Sequence, residues 1–292
     1  MEKRKAASQI PNFQPSQQHF GRSLEKKNPF EGYPLSELVA IARSLDPTNK
    51  LDSINYVDLL EYLCVLCNKE NKGNRCDPLR SELMDLGLCK VLLNVVRTSL
   101  EKDKVVTEKI VSLACDCISF LSRNDNVLET LMHDAELGAI KLLVQLLEVK
   151  LASLQIAVTC SGAIRSLTRD LGSNVLKTLK GTELLTKAMK IHSADELLCE
   201  NCILIIYEIC PTRSYGVFDY SGNTHKLDQL GTMSLVEEAI GRFYDNTTIS
   251  YFGGMLIREW QQMPTITRSR RCTASTIVPH PTSSAVAIYK TY

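Results

Sequence analysis

Between Pro78 and Pro211 the chain runs for 132 residues without a proline, and that window holds only five glycines. Proline breaks a helix interior and glycine weakens it, so a window this poor in both predicts helices joined by short turns. Hydrophobic periodicity agrees. In 104–122 the apolar residues Val106, Ile110, Leu113, Ala114, Cys117, Ile118 and Leu121 recur at spacings of three and four. The same pattern returns in 151–169 with Leu154, Ala157, Val158, Cys160, Ala163, Ile164 and Leu167, and in 194–210 with Leu198, Cys202, Ile205, Ile206 and Ile209. Each segment reads as a helix with one buried stripe. Ser193 and Glu196 have capping-box spacing, and Asp77 before Pro78 reads as an N-cap followed by a first-turn proline. No alternating strand of useful length precedes residue 214.

The three periodic segments also align with one another. Asp116-Cys117-Ile118, Thr159-Cys160-Ser161 and Asn201-Cys202-Ile203 stack at spacings of 43 and 42 residues. A glycine keeps the same phase: Cys117 to Gly138 and Cys160 to Gly181 are both 21 residues. An earlier copy runs 23 residues from Cys64 to Gly87, and its 30-residue link to Cys117 carries an insertion around Arg97–Lys104. A unit near 42 residues with a short helix, a glycine turn and two longer helices has the size of a helical solenoid repeat.

Residues 134–149, DAELGAIKLLVQLLEV, resemble the armadillo signature, in which a Gly-Ala-Ile turn opens the second helix and a leucine-rich run follows. Asn124-Asp125-Asn126 before Val127–His133 resembles the polar turn and short first helix that begin such a repeat. The resemblance covers about residues 52–211. It implies an all-α, right-handed α-solenoid of armadillo-like repeats over 34–211, whose third helices line a concave groove for an extended peptide or a partner helix. A loop and capping helices over 212–262, with helices at 233–243 and 249–262, complete the body. Tyr251, Phe252, Leu256, Ile257 and Trp260 would form an aromatic cap over the solenoid's end.

On the third helices, the positions one step outside the buried stripe are Ser112, Asp116, Ser119 and Arg123, then Gln155, Thr159, Gly162 and Ser166, then Asn201, Leu204 and Glu208. Spacings of four and three place each set in one row, which reads either as the groove or as an ordinary solvated face. Importin-type members carry tryptophans and asparagines along this row. Here Trp260, the one tryptophan, lies outside the repeats, and only Asn201 holds a ladder-like position, so import-cargo recognition is disfavoured.

The residues that could carry chemistry are few. Cys64-x-x-Cys67 with Cys76 and Cys89 raises a zinc site, but the gaps between the later cysteines match no structural-zinc spacing. Cys64 and Cys67 also fall on an apolar helical stripe with Leu60 and Leu63, where cysteine acts as a small hydrophobe. Cys199-x-x-Cys202 has no second pair. His19, His133, His192, His225 and His280 are scattered, and no phosphate-cradling loop or nucleophile elbow occurs. The expectation is a chain that is not an enzyme and carries no cofactor or metal.

Charge is distributed unevenly. Residues 1–34 hold six Lys/Arg against three Asp/Glu, and 258–292 hold five against one; with a total of +1, the body between is left at -6. Seven of the ten prolines lie in those two ends. Residues 1–33 and 263–292 therefore read as flexible basic arms, the second carrying Arg268, Arg270 and Arg271. Basic arms suit an acidic surface such as tubulin, whereas the acidic body disfavours nucleic acid. No run of about 18 apolar residues suggests a membrane span, and the first thirty residues lack a signal's apolar core. Eleven cysteines without a secretory signal point to reduced thiols. The chain thus reads as a cytoplasmic protein-binding scaffold or adaptor, in a cytoskeletal or ciliary setting. The alternative is an exchange-factor-type regulator of a GTPase or chaperone nucleotide cycle.

Overall fold

The computed structural model describes residues 28–68, 78–101, 103–133, 138–168, 180–209 and 227–261, and these are helical with no strand among them. The helices are α1 (Leu35–Ser44), α2 (Lys50–Asn68), α3 (Pro78–Asp85), α4 (Leu88–Ser99), α5 (Glu108–Leu121), α6 (Asp125–His133), α7 (Ala139–Val149), α8 (Leu154–Leu167), α9 (Gly181–Ile191), α10 (Glu196–Ile209), α11 (Thr232–Arg242) and α12 (Thr247–Gln261). The three periodic segments became α5, α8 and α10. Each starts two to four residues inside its periodic segment, where a capping side chain sets the start. Thr107 and Ser153 accept from the Ile110 and Ile156 amides, so Val106 lies outside α5. At α10 the cap is Asp195, whose carboxylate accepts from the Leu198 amide at 2.8 Å, rather than the expected Ser193. Asp sits one residue before the helix, where its oxygen reaches the third amide along; Ser193 is too far back.

The glycine phase holds before α4 and α7, where Gly87 and Gly138 have φ of 82° and 49°. At the third copy it shifts by one. Lys180 takes the left-handed conformation at φ 58°, and Gly181 is buried as the first residue of α9. Its φ of 82° is what holds Gly87 as glycine; the Arg43 guanidinium that a Cβ would meet is the movable end of an exposed side chain, donating to the Leu86 carbonyl.

The chain divides into two compact units, residues 1–142 and 143–292. In the first, α2 packs along α5, α4 covers α5, and α1 and α3 close over α4. The seam is apolar: Leu60, Leu63, Cys64 and Cys67 of α2 are buried, as are Ile110, Ala114, Cys117 and Ile118 of α5. Burying each aliphatic side chain contributes about 1.5–3 kcal/mol before chain entropy is subtracted. Cys64 and Cys67 are therefore core residues, with the Cys64 and Cys117 sulfurs 3.0 Å apart; burial holds the Cys117 thiol well above its ordinary pKa. Arg80 of α3, itself buried, donates through Nε and Nη2 to the Cys67 carbonyl, an acceptor the helix end leaves open. Cys76 lies outside the described residues. No cluster of three or more metal-ligating side chains occurs among those described.

In the second unit α8 packs on α10, and α10 packs on α12, with α9 and α11 alongside. The helices expected at 233–243 and 249–262 are α11 and α12, each displaced by one or two residues toward the N-terminus. Asn246 sets the start of α12 by accepting from the Thr248 and Ile249 amides. Phe252 packs edge-to-face on Tyr207 of α10 at 5.0 Å and Leu256 is buried, so part of the expected aromatic set does cover α10. Tyr251 stays 58% exposed and Trp260 is half-buried. The close approach of α11 and α12 depends on Gly253, where a Cβ would meet Ile240 at 3.0 Å.

Candidate functional site

The row on α5 begins under the Thr107 cap and runs beside α2. Two cations on it are held by α2: Lys109 Nζ lies 2.6 Å from Glu61 Oε1, and Arg123 Nη1 donates to Asn68 Oδ1 at 3.1 Å. The Arg123 guanidinium also lies 4.8 Å from the centre of the Phe120 ring, a cation–π distance. Between them, Asp116 is half-buried and makes no hydrogen bond or ion pair with the described residues. Burial alone pushes its carboxyl up to about 7, because desolvation penalises the charged form. One turn earlier Ser112 is 2% exposed, and its hydroxyl has no hydrogen-bond partner among the described residues. Ser119 is half-buried.

On α8, Gln155 is exposed and Thr159, Gly162 and Ser166 are half-buried. The hydroxyls fold back onto their own helix: Thr159 donates to the Gln155 carbonyl at 3.1 Å and Ser166 to the Gly162 carbonyl at 3.1 Å. This row is polar and uncharged.

On α10 the geometry departs from an open row. Asn201 and Leu204 are 4% and 6% exposed, and Glu208 is half-buried and accepts from Thr168 at 3.1 Å. The Asn201 amide is consumed inside the unit: Oδ1 accepts from Arg165 at 3.2 Å, and Nδ2 donates to the Val158 carbonyl and Ser161 Oγ. It has no donor left for a peptide backbone. Arg165 also reaches Glu200 Oε1 at 3.3 Å, while Asn246 Nδ2 donates to Glu200 Oε2 at 3.1 Å and to Glu196 Oε1 at 2.7 Å. Burial raises the Glu200 pKa despite these partners and, for the same reason, lowers that of Arg165. Arg165, Glu200 and Asn246 lie off the predicted row. The signal that could have found them is the pair of opposite charges on helices one repeat apart.

The predicted residues are thus distributed in two ways. Asp116, Ser119, Arg123, Gln155, Thr159, Ser166 and Glu208 keep solvent contact, whereas Ser112 and Asn201 are buried. Arg268, Arg270 and Arg271 lie outside the described residues. Among the described residues no helix is long and apolar enough to cross a membrane. The sequence matches no family model and no curated protein.

Proposed function

We propose that this chain is a non-catalytic scaffold or adaptor built as a right-handed armadillo-type α-solenoid. It binds an extended peptide or helix of another protein on the outer rows of its long helices, that of α5 within one unit and that of α8, with the solvent-reaching Glu208 of α10, within the other. Its basic ends, with Arg268, Arg270 and Arg271, anchor it to an acidic surface such as tubulin in a cytoplasmic cytoskeletal or ciliary assembly. The observation that carries the reading is the recurrence of capped long helices at repeat spacing, paired as α2 on α5 in one unit and α8 on α10 in the other. Side-by-side long helices present their outer rows in parallel, which is how repeat proteins build extended binding surfaces.

The test is affinity capture from native extract with the full chain. Glutamate replaces Gln155, Thr159 and Ser166 together in one variant, and the exposed Lys141 and Gln145 of α7 in a control. A third variant replaces Arg268, Arg270 and Arg271 by glutamate. The reading expects the α8-row variant to lose a partner set that the α7 control keeps, and the arginine variant to lose the cytoskeletal set. Identical capture by all forms would overturn it.

A further inference from the structure

In the second unit each long helix reaches the next from fixed positions after its cap. Twelve residues past the Ser153 cap, Arg165 of α8 donates to Glu200 and Asn201 of α10; twelve past the Asp195 cap, Tyr207 of α10 packs on Phe252 of α12. Five past the same caps, the Val158 carbonyl accepts from Asn201, and Glu200 accepts from Asn246. Counting likewise from the Asn246 cap of α12 gives Tyr251 and Arg258, and here no described helix follows. Tyr251 stays exposed, and the exposed Arg258 donates to the Gly254 carbonyl of its own helix at 3.2 Å.

On the first long helix the converse face is uncovered. α2 packs on α5 through Leu60, Cys64 and Asn68. Away from that seam, Ile54, Asp58, Tyr62 and Val65 recur at spacings of four, four and three and so share one face. Ile54 is 66% and Val65 44% exposed, Asp58 and Tyr62 are half-buried, and Asp58 makes no hydrogen bond or ion pair with the described residues. Glu61 borders this row, with Oε1 on Lys109 of α5. The row and its border thus carry two acids and no base, so two such rows repel each other, whereas a helix presenting a cation is attracted.

We infer that α12 of one copy of this chain lies along the outer row of α2 of a second copy. Tyr251 covers Ile54, and Arg258 donates to the second oxygen of Glu61. That carboxylate then sits as Glu200 does, shared by an arginine of the preceding long helix and a donor of the following one. Apolar burial drives the contact, and the charged pair sets its register. Because the two rows differ, the contact is heterologous: a dimer keeps one unused row of each kind, and copies add on until a ring closes or the series ends. Neither row is among those assigned to the bound peptide, so this inference does not rest on the partner-binding reading.

Sedimentation velocity of the full chain over a concentration series tests it. The wild-type mass should climb past that of a dimer as concentration rises. Ile54→Glu and Tyr251→Glu, both at exposed positions, should each remain monomeric, because each would bury an unpaired carboxylate in the contact. Mixed in equal amounts they should form a dimer and nothing larger, since one intact row of each kind remains; such complementation also shows that both variants are folded. Arg258→Gln should weaken self-association at least about tenfold. A wild-type chain that stays monomeric at every concentration would overturn the contact, and so would a dimer that either glutamate variant leaves intact.

Discussion

Asp116 and Asn201 occupy the same position two repeats apart, each immediately before an aligned cysteine, and the fold treats them in opposite ways. On α5, Asp116 and the Ser112 beneath it have no partner among the described residues, and the charges flanking them are held apart by α2. On α10, Asn201 is saturated by Arg165, Val158 and Ser161, and the network continues through Glu200 to Asn246. One repeat position can therefore hold a unit together or stand without a partner among the described residues. What decides is whether the neighbouring long helix supplies a side chain that reaches it. Arg165 does so for α10. On α5 the two cations of the row are engaged elsewhere.

The contrast can be broken from the α10 side with the largest effect. Arg165→Met should leave Glu200 buried with only Asn246 to satisfy it and should remove a donor from Asn201. We expect a loss of about 3–5 kcal/mol, seen as a lower urea midpoint, as for other broken buried pairs. A loss under about 1 kcal/mol would place the network among surface ion pairs of little worth.

From the α5 side the sign reverses. The native-state pKa of Asp116 is raised from 3.8 to about 7, so its favourable contribution is complete below about pH 4 and is lost as pH rises through 7. Asp116→Asn should remove that slope. It should raise stability at pH 8 by about 2 kcal/mol and leave it unchanged near pH 3; the full conversion of the shift is discounted because the residue keeps part of its surface in water. Thermal unfolding of both proteins between pH 3 and 8 checks this.

Smaller effects sharpen the same comparison. Asn246→Ala should cost about 1–2 kcal/mol through loss of the α12 cap, with further loss because buried Glu200 then keeps only Arg165. By contrast, Ser112→Ala should stabilise by up to about 1 kcal/mol, because it deletes an unsatisfied hydroxyl instead of a hydrogen bond. Chemical unfolding of the two variants side by side would show opposite shifts in midpoint.

Helix periodicity made much of the fold legible in the sequence. The stripes ending at Leu121, Leu167 and Ile209 are set by the 3.6-residue period, and all three helices end where the pattern does. Starts were harder to read, because they depend on which of several polar residues reaches an amide: Asp195 wins over Ser193, and Lys180 takes the backbone conformation that the glycine phase assigns to Gly181. The site was legible only as directions. Spacing puts Ser112, Asp116 and Asn201 on outer faces, but their burial depends on neighbouring chain. No local pattern pairs Arg165 with Glu200, 35 positions away. Arg80 is similar, since its partner is a helix-end carbonyl that sequence does not display.

Asp116 stands without a partner among the described residues, and a pH titration of its carboxyl carbon by NMR tests that most directly. A midpoint near 7 is predicted, matching a carboxyl enclosed by protein with no cation beside it. A midpoint near 4 or below would mean that water or an internal donor already satisfies it, and would contradict the contrast with Asn201.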